Sequence, residues 1–389
     1  MPTALIDAIS AVTKPVREAQ GLPNGAYTDP EIFRFERDHI LAHTWAGITF
    51  GSELPAPGCA RPVNFMGMPL LAVRDRNGSL RVFHNVCSHR GMVLVDEPVR
   101  VKTALRCPYH SWSYDLEGRL LGTPHIGGMD KHSCEGFERS VHGLREIRSA
   151  IWMDIIFVNL SGDAEEFDSF LAPLLKRWKP FVGAAGFDEL VVPPSGGRAE
   201  FAVACNWKLA VENFCEAYHL PWVHPALNAD SPLDQHYNIL DGERISGQGS
   251  LKYRPANVSS EKLPQFASWP ADRPSQAEYI SFYPNVLLGL QADHAFAVIL
   301  LPQSEGNTLE RLQLSYVGAT AADDRYAPCR ESVLRNWDIV FSEDISAVEG
   351  LQRGRQSPGF DGGIFTPVQD TPTHHFHSWV ASAYKLALK

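Results

Sequence analysis

Long apolar runs, a basic surplus and a cysteine pairing pattern are all missing from this chain of 389 residues. A helix that crosses a bilayer needs roughly 18–20 consecutive apolar residues. The most apolar run, residues 150–160, is much shorter and is broken by Asp154. The N-terminus lacks the charged-then-apolar order of a secretory signal. We therefore expect a cytoplasmic protein with no membrane partner. The formal charge of −10 argues against nucleic acid, because a binder must replace phosphate counterions with a basic stripe. No Gly-x-Gly-x-x-Gly follows a strand-like run, so the chain is not expected to bind NAD(P)H or flavin itself. The 7 cysteines are an odd number. Of these, Cys59, Cys134, Cys205, Cys215 and Cys329 show no pairing pattern and read as small, reduced, buried residues. Internal repeats and low-complexity tracts are absent as well. The composition is that of an ordinary globular protein, 44% apolar and 21% charged, with length enough for two domains.

One stretch carries distinctive chemistry. His84-Asn85-Val86-Cys87-Ser88-His89-Arg90-Gly91 and Cys107-Pro108-Tyr109-His110-Ser111-Trp112 read Cys-x-His and, after seventeen residues, Cys-x-x-His. Two thiolates and two imidazoles on two short loops can hold one metal centre. A zinc site could use the same four residues, but structural zinc sites mostly pair cysteines as Cys-x-x-Cys. Here each loop supplies one Cys and one His. That suits a two-iron cluster with both sulfurs on one iron and both nitrogens on the other. The stretch resembles a Rieske [2Fe–2S] domain in its spacing and in Arg90-Gly91, Pro108 and Trp112. The resemblance makes Cys87, His89, Cys107 and His110 the cluster ligands. Respiratory Rieske proteins carry an extra Cys in each loop, where this chain has Met92 and Tyr109. The match is therefore to the lower-potential clusters of oxygenases and ferredoxins.

Around these loops the pattern predicts an α+β protein. Thr28-Asp29-Pro30-Glu31 has the cap, the proline and the early acid of a helix start, and the helix should run through Phe33, Phe35 and Ile40 to about Thr44. From Trp45 onward short branched-apolar runs over 69–74, 80–85 and 100–107 predict strands, with Asp75-Arg76-Asn77-Gly78 and Asp115-Leu116-Glu117-Gly118 as turns. Residues 143–160 supply the last strands of this all-β domain. Ser161-Gly162-Asp163 is the expected boundary. A helix over 165–182 follows, then strands over 189–192, 200–203, 280–290, 295–302 and 309–317, which suggest an antiparallel sheet. Helices are predicted over 330–351 and 371–388. The stretch 229–275 shows no period and reads as a long loop. The expected division is 1–44, an N-terminal helical segment packing on the catalytic domain; 45–161, the cluster domain; and 162–389, the catalytic domain.

A second constellation lies between 206 and 225. Asn206-Trp207-Lys208 opens a helix on which Trp207, Val211, Phe214 and Tyr218 should face the core, with Lys208, Glu212, Glu216 and His219 on the other face. Pro221 should end that helix, letting the chain turn so that His219 and His224 reach one metal. Two imidazoles and a carboxylate on one face of Fe(II) leave positions open for O2 chemistry. A carboxylate elsewhere in the chain would complete such a set.

The chain as a whole resembles the terminal oxygenase (α) subunits of the Rieske non-haem iron, ring-hydroxylating dioxygenase family. The resemblance covers 27–45, the Rieske motif and 206–225; it puts the third ligand beside His219 and His224 on a late helix, where the position before Gln352-x-Gly354 marks Asp344, with Asp338 and Glu343 as competing choices. It implies a helix-grip, START-like catalytic domain with an antiparallel sheet, a mononuclear Fe(II), and Glu216 and Asn213 as catalytic-site residues. Glu216 would bridge His219 to His110 of a neighbouring subunit. It further implies a homotrimer, because the two centres of one chain would be too far apart for electron transfer. A separate NAD(P)H-dependent reductase would supply the electrons, with O2 and a small organic molecule as substrates. Most ring-hydroxylating members have Asp where this chain has Glu216. Members acting on carnitine, glycine betaine and stachydrine tend to have Glu. The favoured reaction is therefore N-demethylation or C–N cleavage of a quaternary ammonium compound. The alternatives are dihydroxylation or O-demethylation of an aromatic acid and, further off, an electron carrier without catalysis or a structural zinc module. Trp222, Phe282, Tyr283 and Phe296 are candidates for a cation-binding wall.

Overall fold

Asp29 starts its helix as the sequence suggests, just after a short helical turn over Gly25–Thr28. Its carboxylate accepts the Glu31 N–H at 2.7 Å, Pro30 occupies the first turn, and α1 (Pro30–His39) follows. The helix stops short of Thr44, and a 3₁₀ turn over Leu41–His43 completes the segment. The computed structural model describes residues 9–254 and 261–388, so 1–8 of the expected N-terminal segment and 255–260 of the expected long loop lie outside the described residues. The chain divides into two compact units. One is Gly47–Ala164; the other combines the N-terminal segment through Ala46 with the chain from Glu165 onward. Among the described residues no helix is long and apolar enough to cross a membrane.

The first unit is all-β. Its larger sheet has the spatial order Ala46–Phe50 (β1), Ile155–Asn159 (β10), Glu146–Trp152 (β9), Leu80–His84 (β4), Met68–Arg74 (β3), Cys59–Phe65 (β2) and Val99–Arg100 (β5). Leu105–Arg106 (β6), Ser113–Tyr114 (β7) and Leu120–Gly122 (β8) form a small second sheet. The predicted continuous strand over 100–107 is two short strands, because the run changes sheets: β5 pairs with β2 and β6 with β7. The two Asp turns fold alike. Asp75 accepts the N–H groups of Asn77 and Ser79, both at 2.9 Å, and Asp115 accepts those of Glu117 and Arg119 at 2.9 and 2.8 Å. Leu71, Val73, Phe83, Leu105, Trp112 and Tyr114 form the core beneath the Cys/His loops and enclose Cys87 and Cys107.

The second unit is built on one antiparallel sheet. Its order is Leu190–Val191 (β11), Asn307–Val317 (β18), His294–Ser304 (β17), Val286–Leu290 (β16), Ala277–Phe282 (β15), Ile245–Ser250 (β14) and His236–Asp241 (β13), with Arg198–Val203 (β12) also on β18. The helices are α2 (Phe167–Val182), α3 (Trp207–Cys215), the short α4 (Leu220–Val223) and α5 (Pro225–Asp230), the long α6 (Ala327–Gly354) and α7 (Thr371–Ala387). Helix α3 packs on β14, β15 and β17 and against both α6 and α7. The fold is α+β, as expected.

Three readings of this unit are corrected. The run 280–290 is a hairpin, not one strand, and turns at Tyr283-Pro284-Asn285. The stretch read as a loop contains β13 and β14. The small residues of β14 lie where neighbours come close: a Cβ on Gly247 would meet the Tyr279 carbonyl oxygen at 2.1 Å. Lys208 and Glu212 do not form a polar face either. Lys208 Nζ lies 2.6 Å from Glu36 Oε1 with both side chains fully buried. Glu212 accepts the Tyr27 hydroxyl at 2.6 Å and lies 3.1 Å from His377 Nε2. The N-terminal segment is thus tied by buried charge to α3. Among the unassigned cysteines, Cys205, Cys215 and Cys329 are buried, whereas Cys134 is exposed and Cys59 only partly covered.

Candidate active site

The two Cys/His loops have one backbone design. Gly91 N–H donates to the Cys87 carbonyl at 2.9 Å, and Cys87 N–H to the Met92 carbonyl at 2.7 Å. Ser111 N–H donates to the Cys107 carbonyl at 3.0 Å, and Cys107 N–H to the Trp112 carbonyl at 2.8 Å. Each turn needs a left-handed residue four places after its Cys: Gly91 has φ 72° and Ser111 has φ 57°. The result puts like with like. The two thiols are buried side by side, and burial together with Cys107 pushes the Cys87 thiol up. The rings of His89 and His110 meet edge to face at 4.7 Å, and His89 stacks on Trp112 at 4.7 Å. Burial and the neighbouring His110 pull His89 down. Nδ1 of His110 is buried without a hydrogen-bond partner, which a metal bond would satisfy. A sulfur pair beside a nitrogen pair fits the donor set of a two-iron cluster with unlike irons. Tyr114 closes the sulfur side: its hydroxyl is 3.1 Å from Cys87 Sγ and 2.9 Å from Ser88 Oγ.

The second site begins where α3 ends. Asn206 caps that helix by accepting the Lys208 N–H at 3.1 Å, and Glu216 terminates it in extended backbone. Glu216 and His219 are not the neighbours on one helix face that the sequence predicts; instead the helix ends before them and the turn brings them together. Glu216 Oε2 accepts the backbone N–H groups of Tyr218 and, at 3.3 Å, His219, while Oε1 lies 2.6 Å from His219 Nδ1. Pro221 does not end a helix but sits in the first turn of α4, and Pro225 leads α5. His219 and His224 each occupy the junction before such a turn. Tyr218 is 42% exposed and does not face the core.

Asp344 comes from the middle of α6. Its Oδ1 lies 2.9 Å from His224 Nε2, 3.7 Å from His219 Nε2 and 2.8 Å from Asn213 Nδ2. One ligand atom from each of His219, His224 and Asp344 lies within 4.8 Å of the others. Metal bonds of about 2.1 Å place neighbouring ligand atoms roughly 3 Å apart, so the trio fits one ion. Burial pulls His224 down, but Asp344 and Glu343 outweigh it and the ring is pushed up. Glu343 faces the other nitrogen: Oε2 is 2.7 Å from His224 Nδ1. Asp338 is exposed and stands apart from the trio. Below the trio, burial and the charge of Asp344 push Glu310 up to about 8.

A cavity opens on the trio. Phe214, Tyr279, Trp337 and Phe341 give it an aromatic wall, and His236 and Gln248 lie on its polar side. Among the described residues no lysine or arginine lines it. Of the four aromatics expected to bind a cation, none lines this cavity. Phe296 lies one layer behind, with its ring 4.5 Å from Trp337; Phe282 packs on Phe170, Tyr283 on Phe376, and Trp222 is 71% exposed. Trp337, Phe341 and Asp344 follow an i, i+4, i+7 stripe on α6, which could have flagged the wall from sequence.

Paired Cys/His loops and a His/His/Asp trio in one chain are the equipment of an iron oxygenase with its own electron-feeding cluster. The Rieske [2Fe–2S] domain model matches residues 44–133, and the model for the ring hydroxylating alpha subunit catalytic domain matches residues 190–386. The glycine betaine monooxygenase oxygenase subunit of Chromohalobacter salexigens is 34% identical, over 96% of this chain and 89% of that one. A solved structure of a quaternary ammonium Rieske monooxygenase superposes with a TM-score of 0.78 at 22% identity, over 96% and 98% of the two chains. Naphthalene 1,2-dioxygenase does so with 0.71 at 18%, over 97% of each. The chain belongs to the ring hydroxylating alpha subunit family of Rieske non-haem iron oxygenases, and its cofactors are a Rieske [2Fe–2S] cluster and a mononuclear iron. The fold is shared by relatives that act on very different molecules, so the choice of substrate rests on the cavity.

Proposed function

We propose that this chain is a terminal oxygenase component that hydroxylates a small quaternary ammonium compound at a carbon beside its nitrogen. The observation that carries the proposal is the cavity over His219, His224 and Asp344. Its wall is aromatic, no lysine or arginine lines it, and the carboxylates of Glu216 and Asp344 border it. Each aromatic face can contribute about 0.5–2 kcal/mol toward a desolvated cation. A benzoate-type acid would find no cationic side chain there. The relative named for glycine betaine supports the same choice.

In this reading Cys87, His89, Cys107 and His110 hold the cluster, and His219, His224 and Asp344 hold the iron. Iron in that position supplies binding and reductive activation of O2. The chain does the positioning. Asn213 Nδ2 donates to Asp344 Oδ1 and sets the direction of that carboxylate. Glu216 accepts the proton-bearing Nδ1 of His219 and leaves Nε2 for the metal. The aromatic wall seats the ammonium methyl groups and excludes water. One O2, two electrons and two protons convert an N-methyl group to N–CH2OH, and the second oxygen atom leaves as water. The N–CH2OH group then loses formaldehyde and a proton as its C–N bond breaks, leaving a tertiary amine.

Electrons come from a separate NAD(P)H-dependent reductase, in keeping with relatives that are named oxygenase subunits. We place them on a path between copies in a homotrimer. If Nδ1 of His110 binds the cluster, its Nε2–H is available to a Glu216 of the neighbouring copy. A solved relative is described as showing inter-subunit electron transfer. The test is O2 uptake and formaldehyde release by the cluster- and iron-loaded protein with a flavin/iron–sulfur reductase. Glycine betaine or carnitine should stimulate both. Stimulation by benzoate or a neutral arene, with none by the amines, would favour the aromatic reading. Two irons per chain instead of three, unchanged after adding Fe(II), would favour a carrier.

A further inference from the structure

We infer that Glu343 is the positioning carboxylate of His224, a second outer support of the mononuclear iron beside Glu216. The inference rests on the iron-site reading above. By sequence Glu343 competes with Asp344 as the third ligand. The geometry separates them, because the two successive carboxylates of α6 grip opposite nitrogens of one ring. Glu343 Oε2 lies 2.7 Å from Nδ1 of His224, and Asp344 Oδ1 lies 2.9 Å from its Nε2.

A neutral imidazole carries one proton, and the nitrogen without it holds the lone pair. A carboxylate at 2.7 Å from Nδ1 can only accept, so it holds the proton there. When a metal takes the place of the inner proton, the lone pair is on Nε2, which faces Asp344 and His219. Glu216 does the same for His219 at 2.6 Å. Both rings thus point Nε2 inward and Nδ1–H outward, each onto its own glutamate. His224 depends on this more than His219 does. Its side chain is 2% exposed against 20% for His219, so water has little access to replace a lost acceptor. Glu343 itself is one-third exposed, at 34%, so removing it should leave the packing of α6 intact. One helix therefore supplies both a ligand and the support of another ligand. A small rotation of α6 would disturb Asp344 and His224 together.

The test uses the cluster-loaded full chain stripped of mononuclear iron and titrated anaerobically with Fe(II). Four proteins are compared: the parent, Glu343→Gln, Glu343→Ala and His224→Ala. Losing an outer-shell acceptor typically weakens metal binding about 10–100-fold. Glu343→Ala should show a rise in Kd of that size, and the EPR signal of its Fe(II)–nitrosyl complex should change in rhombicity. Glu343→Gln keeps an acceptor oxygen without the charge and should recover part of the loss. The cluster signal and the thermal midpoint should match the parent in both. Parent-like Fe(II) affinity and nitrosyl signal in Glu343→Ala, with iron lost in His224→Ala, would overturn the role of Glu343 alone. Parent-like affinity in His224→Ala as well would overturn the iron-site reading beneath it.

Discussion

Replacing Tyr114 with Phe should lower the reduction potential of the cluster. The Tyr114 hydroxyl lies 3.1 Å from Cys87 Sγ and 2.9 Å from Ser88 Oγ, and it accepts the Ser88 N–H at 3.1 Å. The Ser88 hydroxyl donates elsewhere, to the His142 carbonyl at 2.7 Å. The single proton of Tyr114 is therefore left for the thiolate or for the Ser88 oxygen, and the charged acceptor is the stronger one. Burial and the adjacent Cys87 push Tyr114 far above its ordinary range, so it stays a donor at every working pH. A hydrogen bond to a charged group contributes about 1.5–3 kcal/mol. Only the share gained when an electron arrives moves the potential. If that share is a quarter to a half, the shift is roughly 20–65 mV downward, at about 1.4 kcal/mol per 59 mV for one electron. Phe keeps the ring and its packing, so the cluster should load normally. An EPR- or CD-monitored redox titration of the parent and Tyr114→Phe reads the shift. A potential unchanged within about 10 mV, or raised, in a fully loaded variant would refute the assignment of this proton to the sulfur.

Glu216→Ala should keep both metal centres but lose turnover, as measured by iron and sulfide content beside O2 uptake; full activity would end the bridging idea. Lys208→Met should cost about 3–5 kcal/mol in chemical denaturation, because it strands the buried Glu36 carboxylate with only Trp207 and Tyr384 as donors. Replacing Glu36 by Leu in the same protein should restore much of that loss. The acid limb of stability should depend on Glu212. Burial by itself would push its carboxyl up, but His377, Arg355 and Tyr27 outweigh it and hold it below the ordinary glutamate value. A depressed carboxyl stabilises fully above its unfolded value, and the contribution is lost as pH falls through the folded value. Thermal midpoints measured from about pH 6 to pH 3 should therefore fall less steeply in Glu212→Gln than in the parent, and equal slopes would contradict this sign.

The elements read correctly from sequence are those whose cause is local. A Cys and a His two or three residues apart must share a loop, so the four cluster candidates were visible together. Asp29-Pro30-Glu31 caps its own helix, and the Asp75 and Asp115 turns close on their own amides. The helix α6 was legible because a long helix carries its period throughout, whereas Asp344 was singled out on it only by the family resemblance. The misread elements have distant causes. Glu216 and His219 were placed on one helix face, although the helix ends at Cys215 and a turn joins them. Lys208 and Glu212 were placed on the face opposite the core, although both are buried, because their partners, Glu36 and Tyr27, lie more than 170 residues away in the chain.

The residue types and the spacing of the two Cys/His loops were thus set by the sequence alone, because metal ligation tolerates few donor sets and few spacings. Tertiary structure decided the rest. It made a strand of the glycine-rich β14, because its neighbours leave room only for small residues. It turned Glu343 outward onto Nδ1 and Asp344 inward onto Nε2, a choice between adjacent acids that no one-dimensional pattern records. It also selected Phe214, Tyr279, Trp337 and Phe341 as the cavity wall, because a wall is defined by which faces of α3, β15 and α6 meet across the iron site.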